Sequence, residues 1–147
     1  MIKKTISVII PCYNEEGNEE ELHRRISDVL RRNVKNYEII FIDNKSTDAT
    51  RDILRRLAER DPHVTALFFS RNFSHSQYGF TAGSEYATGD AVVWTDADLQ
   101  DPPEMIEEFI KKWQEGYDVV YGVREKRRGG FLLRIAYKLF YRLYKKM

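Results

Sequence analysis

The sequence predicts a doubly wound α/β fold, a mostly parallel sheet with helices on both faces. Three observations predict it. Five short apolar runs lack polar alternation, as strands buried on both faces do. Amphipathic stretches of helical period separate them. Acidic residues gather where two of the runs end, at the edge on which open α/β sheets bind ligands.

Taken in order, residues 6–11 form the first strand. Leu22, Ile26, Val29 and Leu30 then recur at i, i+4, i+7 and i+8, the stripe of a first helix. Residues 37–43 are a second strand ending in an acid. Ser46 or Thr47 can cap a second helix, with Asp48 in its first turn and Ile53, Leu54, Leu57 and Ala58 inward. Residues 64–69 form a third strand. Residues 77–87 read as a shorter helix that Gly89 ends at a C′ position. Residues 91–95 are the fourth strand. Asp101 can cap a helix over 102–114, with Pro102 at its first position and Glu104 completing a capping box. Met105, Ile106, Phe109, Ile110 and Trp113 are its inner face, and 119–123 is the fifth strand. Right-handed crossovers then give a nucleotide-binding-like architecture.

The chain has 147 residues, 42% hydrophobic and 32% charged, which fits one soluble globular domain with a real core. A single cysteine, Cys12, excludes an internal disulfide framework and a zinc pattern, and favours a reducing compartment. The apolar run at 6–10 is too short for a signal-peptide core or a membrane span. The net charge of +1 hides an asymmetry. From Arg124 onward there are nine Lys/Arg and one Glu, whereas residues 1–123 carry 15 Lys/Arg and 22 Asp/Glu. An acidic body with a basic tail points to an anionic partner for the tail. Residues 124–130 read as a basic loop. In 131–147, Leu132, Ile135, Ala136, Leu139 and Leu143 form an apolar stripe opposite Arg134, Lys138 and Arg142. Such a basic, aromatic-rich helix can lie in a membrane interface or pack on the domain with a solvated face. Nucleic acid is not expected, because the body is acidic.

The run Thr95-Asp96-Ala97-Asp98-Leu99-Gln100-Asp101-Pro102-Pro103-Glu104 follows the fourth strand. Asp96, Asp98 and Gln100 carry hard oxygen donors suited to Mg²⁺ or Mn²⁺ shared with a substrate's phosphates. Taken alone, the two acids also fit a turn-and-cap role. No Gly-x-Gly-x-x-Gly follows the first strand, and no P-loop is present. A diphosphate bound here would rely on a metal at Asp96 and Asp98.

The motifs together resemble glycosyltransferase family 2, of the GT-A fold. Ser7-Val8-Ile9-Ile10-Pro11-Cys12-Tyr13-Asn14-Glu15-Glu16 is similar to the family's opening signature, and Asp43-Asn44-Lys45-Ser46-Thr47-Asp48 to its Asp-Asp-Gly-Ser-x-Asp turn. Ser70-Arg71-Asn72-Phe73, the 96–104 run and Gly122-Val123-Arg124 resemble the branch that glycosylates polyprenyl phosphates, including dolichol-phosphate mannose synthases and bactoprenol glucosyltransferases. The resemblance implies inverting, metal-dependent transfer from a nucleoside-diphosphate sugar, UDP- or GDP-linked, to a polyprenyl phosphate. It implies that Pro11, Tyr13 and Glu15 border the base and ribose, and that Asp43 accepts from the base's ring N–H. Asp96 and the backbone of Ala97 would contact nucleotide and metal, with Asp96 and Asp98 at the catalytic centre. Asp98 and Gln100 would be metal ligands. Arg124 and Arg71 would meet phosphate oxygens, whereas His75 reads as loop structure.

Two departures qualify the resemblance. Asn44 and Lys45 stand where the family has a second acid and a glycine, and Lys45 is hard to place where φ > 0 is needed. The family also continues beyond the point where this chain ends, with an acceptor-binding segment. The expectation is therefore 1–123 as the N-terminal, sugar-nucleotide-binding part and 124–147 as a basic loop and amphipathic helix, cytoplasmic and peripheral at the inner membrane face. The rival readings are a nucleotide-binding or membrane-docking module without turnover, and an Asp-nucleophile phosphohydrolase.

Overall fold

The computed structural model describes residues 2–123. Arg124, the basic loop and the amphipathic segment 131–147 lie outside the described residues. The order is β1 (Ile2–Cys12), α1 (Glu19–Asn33), β2 (Val34–Asp43), α2 (Thr50–Arg60), β3 (Val64–Phe68), α3 (Ser76–Tyr86), β4 (Ala91–Trp94) and α4 (Met105–Gln114). The four strands form one parallel sheet in the order β3-β2-β1-β4.

Helices cover both faces, as expected for strands without polar alternation. On one face Val8 and Ile10 of β1 and Ile39 and Phe41 of β2 meet Leu22, Ile26, Leu54, Leu57, Ile106 and Ile110 of α1, α2 and α4. On the other, Ile9, Ile40 and Ile42 lie under Phe80 and Ala87, in and just after α3. The period-two change of face along each strand sorts these two sets. α3 sits close on the sheet: a Cβ at Gly83 would run into Ile9 and Ile42.

Parallel pairing puts every strand's carboxyl end on one edge. Cys12 pairs with Asp43, Asp43 with Phe68, and Ile9 with Trp94, the last residue of β4. The four βα loops therefore gather there.

Four sequence expectations are corrected. Residues 119–123 form no strand. A strand needs a ladder partner, and Gly122 lies instead against Met105 and Phe109 of α4. Val119, Tyr121 and Val123 are left 79%, 77% and 72% exposed. Secondly, α4 begins at Met105, not Pro102, and no side chain caps it. Two adjacent prolines disfavour an α-helical start. The chain enters through i→i+3 bonds, with Met105 N–H donating to the Pro102 carbonyl (3.0 Å) and Ile106 N–H to that of Pro103 (3.1 Å). Thirdly, Gly89 is not a C′ residue, because α3 ends through an extended Ala87. Gly89 is needed for close approach, and its N–H donates to Ser7 Oγ at 2.9 Å. Fourthly, neither Ser46 nor Thr47 caps α2. Asp48 Oδ1 accepts the Thr50 N–H at 3.0 Å, and Ser46 and Thr47 bind the neighbouring loop.

Candidate functional site

Each of the four carboxyl-edge loops holds one non-glycine residue in the left-handed region: Asn14 (φ 55°), Lys45 (φ 64°), Ser74 (φ 67°) and Leu99 (φ 55°). Such backbone is disfavoured for side chains larger than glycine. Here the surroundings over-determine it, a pattern that clusters at functional sites.

The first three loops are stitched together. Asn14 N–H donates to Ser46 Oγ (3.0 Å) and Thr47 N–H to Asn14 Oδ1 (2.8 Å). Glu15 N–H reaches Thr50 Oγ1 (2.9 Å), and Ala49 N–H returns to Glu16 Oε2 (2.9 Å). Asn44 extends the network to the loop after β3 through the Phe73 N–H, which donates to its Oδ1 (2.9 Å). Lys45 thus does adopt φ > 0. Its N–H donates to Asp43 Oδ2 (3.2 Å) and that of Ser46 to Asp43 Oδ1 (3.0 Å), which hold the turn that glycine would otherwise ease.

The fourth loop carries the oxygen donors. Ala97 and Pro103 are buried and Leu99 packs on the core, while Asp96, Asp98 and Gln100 are exposed. The alternation anchors one side of the loop and presents the other. Asp98 Oδ1 accepts the Gln100 N–H at 3.0 Å, so the two side chains share one turn. Glu104 does not form the expected capping box. Arg25 of α1 binds it bidentately, Nε to Oε1 at 2.8 Å and a terminal nitrogen to Oε2 at 2.5 Å. That hydrogen-bonded ion pair holds the Glu104 carboxyl down at about 2.

The other expected residues among those described lie at the ends of β1 and β2 and on the loops after β1 and β3. Pro11 is buried, Tyr13 is 47% exposed, and Glu15 is half-buried and accepts from Asn18 Nδ2 at 2.6 Å. Asp43 is fully buried at the end of β2, with the Arg51 guanidinium 3.0 Å away. In this conformation its oxygens face its own turn. Arg71 is exposed over the Phe73 ring, 4.6 Å from its centroid. His75 is exposed at the head of α3. Arg124 lies outside the described residues. An open cleft of about 1820 Å³ runs from Asp96 and Gln100 along β4 to Phe109 and Val119.

Sequence reasoning missed three residues. Arg51 neutralises Asp43, and Asn44 joins two loops. Glu19, the first residue of α1, is fully buried, and neither of its oxygens has a hydrogen bond. Burial raises its carboxyl to about 7, with Asp48 and Glu15 pushing the same way. Burial first, and then Glu19, Asp43 and Glu15, push the Cys12 thiol well above its ordinary range, so it is an inert filler. Only the charged character of Glu19 on the edge of the apolar stripe could have flagged it.

Among the described residues, no three His, Cys, Asp or Glu side chains are grouped to enclose a metal ion. Two exposed carboxylates and an amide are instead a partial oxygen set. That suits an ion such as Mg²⁺, which keeps waters and takes its other ligands from substrate phosphates.

Residues 7–147 match the family model described as Glycosyl transferase family 2. The chain belongs to glycosyl transferase family 2. It is 48% identical over 138 residues to the uncharacterized glycosyltransferase YkcC of Bacillus subtilis, covering 93% of this chain and 42% of that protein. It is 39% identical over 141 residues to an undecaprenyl-phosphate 4-deoxy-4-formamido-L-arabinose transferase of Klebsiella pneumoniae, covering 95% and 43%. The chain thus spans less than half the length of these relatives. Among solved structures it resembles the mannosyltransferase PcManGT of Pyrobaculum calidifontis in complex with GDP-Man and Mn²⁺. The TM-score is 0.50 at 26% identity, over 69% of this chain and 34% of that one. Staphylococcus aureus TarS 1–349 in complex with UDP-GlcNAc shares the fold, with a TM-score of 0.61 at 18% identity over 88% and 37%. The family 2 chain described here therefore has the GT-A-like α/β fold that its motifs implied.

Proposed function

We propose that this chain is the donor-binding part of an inverting glycosyltransferase that moves a sugar from a nucleoside diphosphate to a polyprenyl phosphate. The observation that carries it is the 96–104 loop, which buries Ala97 and Pro103, packs Leu99 on the core and exposes Asp96, Asp98 and Gln100 at the carboxyl edge. The Mn²⁺ and GDP-Man of the mannosyltransferase, and the undecaprenyl phosphate named for the Klebsiella relative, support donor and acceptor classes.

Asp96, Asp98 and Gln100 would hold Mg²⁺ or Mn²⁺. A bound ion supplies charge stabilisation for the departing diphosphate. The chain's own residues do the rest. Tyr13, Pro11 and Glu15 border the nucleoside, and Asp43 sets the turn beside it. Arg71 and Arg124 offer guanidinium donors to phosphate oxygens. The acceptor phosphate, substantially ionised with a second pKa near 6, attacks C1 directly. Its oxygen forms the new C1–O bond as the C1–O bond to the diphosphate breaks, and the diphosphate leaves with the electron pair. No side-chain base is required. Residues 131–147 would bring the basic tail to the anionic inner face of the membrane, a cytoplasmic and peripheral location. Because the chain spans under half of its relatives, donor binding without turnover is the second reading.

Calorimetric titration with UDP, GDP and their sugars, with and without Mn²⁺, tests the proposal. One nucleotide should bind wild type in a metal-dependent way, and Asp98→Ala should abolish it. Phosphatase turnover without sugar-nucleotide binding would overturn it. Transfer to a polyprenyl phosphate, or its absence from a chain that binds donor, separates the two readings.

A further inference from the structure

The loop that carries Asp96, Asp98 and Gln100 is tied, across 79 residues of sequence, to the helix that follows the first loop of the site. We propose that Arg25 is a positioning residue for metal-assisted donor binding, acting by clamping Glu104 and so fixing the far end of the 96–104 loop. The inference rests on the donor-site reading above.

The geometry has three parts. Glu104 stands immediately before α4, where its side chain could have capped the helix, and Arg25 takes it instead. The bond is a two-point fork rather than a single contact, so it fixes orientation as well as distance. Arg25 is 26% exposed on α1, which packs against α4, so the guanidinium is itself held. Nearer β4, the loop is pinned by Thr95 N–H donating to the Ile9 carbonyl (3.2 Å) and by Leu99 in the core. Leu99 holds a left-handed backbone between Asp98 and Gln100. Such a conformation persists only where the surroundings over-determine it, and the Arg25–Glu104 fork, with buried Pro103, adds constraint on the C-terminal side. α1 also begins just after the loop of Tyr13 and Glu15, with Leu22 N–H donating to the Asn18 carbonyl at 2.9 Å. One rigid helix therefore sets the nucleoside side and the metal side of the site relative to each other.

The test is Mn²⁺-dependent binding of UDP and GDP by the 147-residue chain, measured by calorimetry beside thermal unfolding. The variants are Arg25→Ala, Arg25→Lys, Glu104→Gln and the exchange Arg25→Glu with Glu104→Arg. Arg25→Ala and Glu104→Gln should each weaken metal-dependent binding by about tenfold or more, the range for groups that orient ligands from outside the coordination shell. Any residual binding without metal should be unchanged. Arg25→Lys, which lacks the fork, should rescue only in part. The charge exchange should restore affinity. Because the pair is partly exposed, the variants should remain folded, and the exchange variant carries the test if a single one does not. Wild-type-like metal-dependent binding in both single variants would overturn the clamp while leaving the donor site standing. So would failure of the exchange to recover any affinity. Absence of Mn²⁺-dependent binding in wild type would overturn the donor-site reading, and the clamp with it.

Discussion

Glu19 places a titratable group where the fold gives its charge no hydrogen bond. Its carboxyl is raised from 4.5 to about 7, chiefly by burial. Below 4.5 the group is protonated in both folded and unfolded chains and is neutral to stability. Between 4.5 and 7 the unfolded chain loses the proton and the folded one keeps it, so stability falls as pH rises through that window. Above 7 the folded chain carries the charge and the loss levels off, on the order of 3 kcal/mol. Glu19→Gln removes the titration while keeping the shape. Urea unfolding of both chains from pH 4 to 8 should show the variant gaining on wild type up to pH 7. A constant difference would mean that Glu19 titrates alike in the folded and unfolded chains. The carboxyls of Glu38, Asp48 and Asp61 are held low by hydrogen bonds, and His23 also contributes at Asp61. They work in the opposite sense at lower pH, so the difference between the two chains, not the wild-type curve, isolates Glu19.

α3 is the element whose placement is most exacting, because it alone among the described helices packs on the Ile9, Ile40 and Ile42 face. Gly83 lets its backbone sit against Ile9 and Ile42. Gly83→Ala would raise helix propensity, yet its methyl must displace a buried side chain, and overpacking of this kind costs about 1–3 kcal/mol. Thermal unfolding should show a lower Tm for the variant; an unchanged or higher Tm would mean that α3 can lift without penalty. The same element shows what was legible in the sequence. Its position between the third and fourth strands followed from the apolar pattern, whereas the reason for Gly89 beyond it depended on a contact with Ser7, 82 residues away. The 119–123 segment makes the same point. Its apolar run has the composition of a strand, but a strand also requires a partner edge, which periodicity does not record. Asp96, Asp98 and Gln100 could be proposed from the sequence because their chemistry and spacing are local. Asn44, Arg51, Thr50 and Arg25 act through partners on other loops or helices, so their roles emerged only once the chain was folded.

At the scale of the whole molecule, charge is divided along the chain. Residues 1–123 hold 22 Asp/Glu against 15 Lys/Arg, and from Arg124 onward nine Lys/Arg face one Glu. The proposed donor site, lined by carboxylates, and the proposed lipid acceptor place opposite demands on the surface, since an acidic body is repelled by an anionic bilayer. A basic terminal segment offsets that repulsion if it lies at the membrane face. Each Lys or Arg near such a surface contributes about 1 kcal/mol at low salt, so Arg134, Lys138 and Arg142 together should change binding on the order of a hundredfold. Co-sedimentation with phosphatidylserine-containing vesicles should therefore be strong for wild type at low salt, fall as salt is raised, and largely vanish in Arg134→Gln/Lys138→Gln/Arg142→Gln. Metal-dependent nucleotide binding by that variant should match wild type, because the three positions lie outside the donor loops. Vesicle binding that ignored both salt and the triple substitution would assign membrane contact to the apolar residues of 131–147 alone, and the charge division would then have no part in docking.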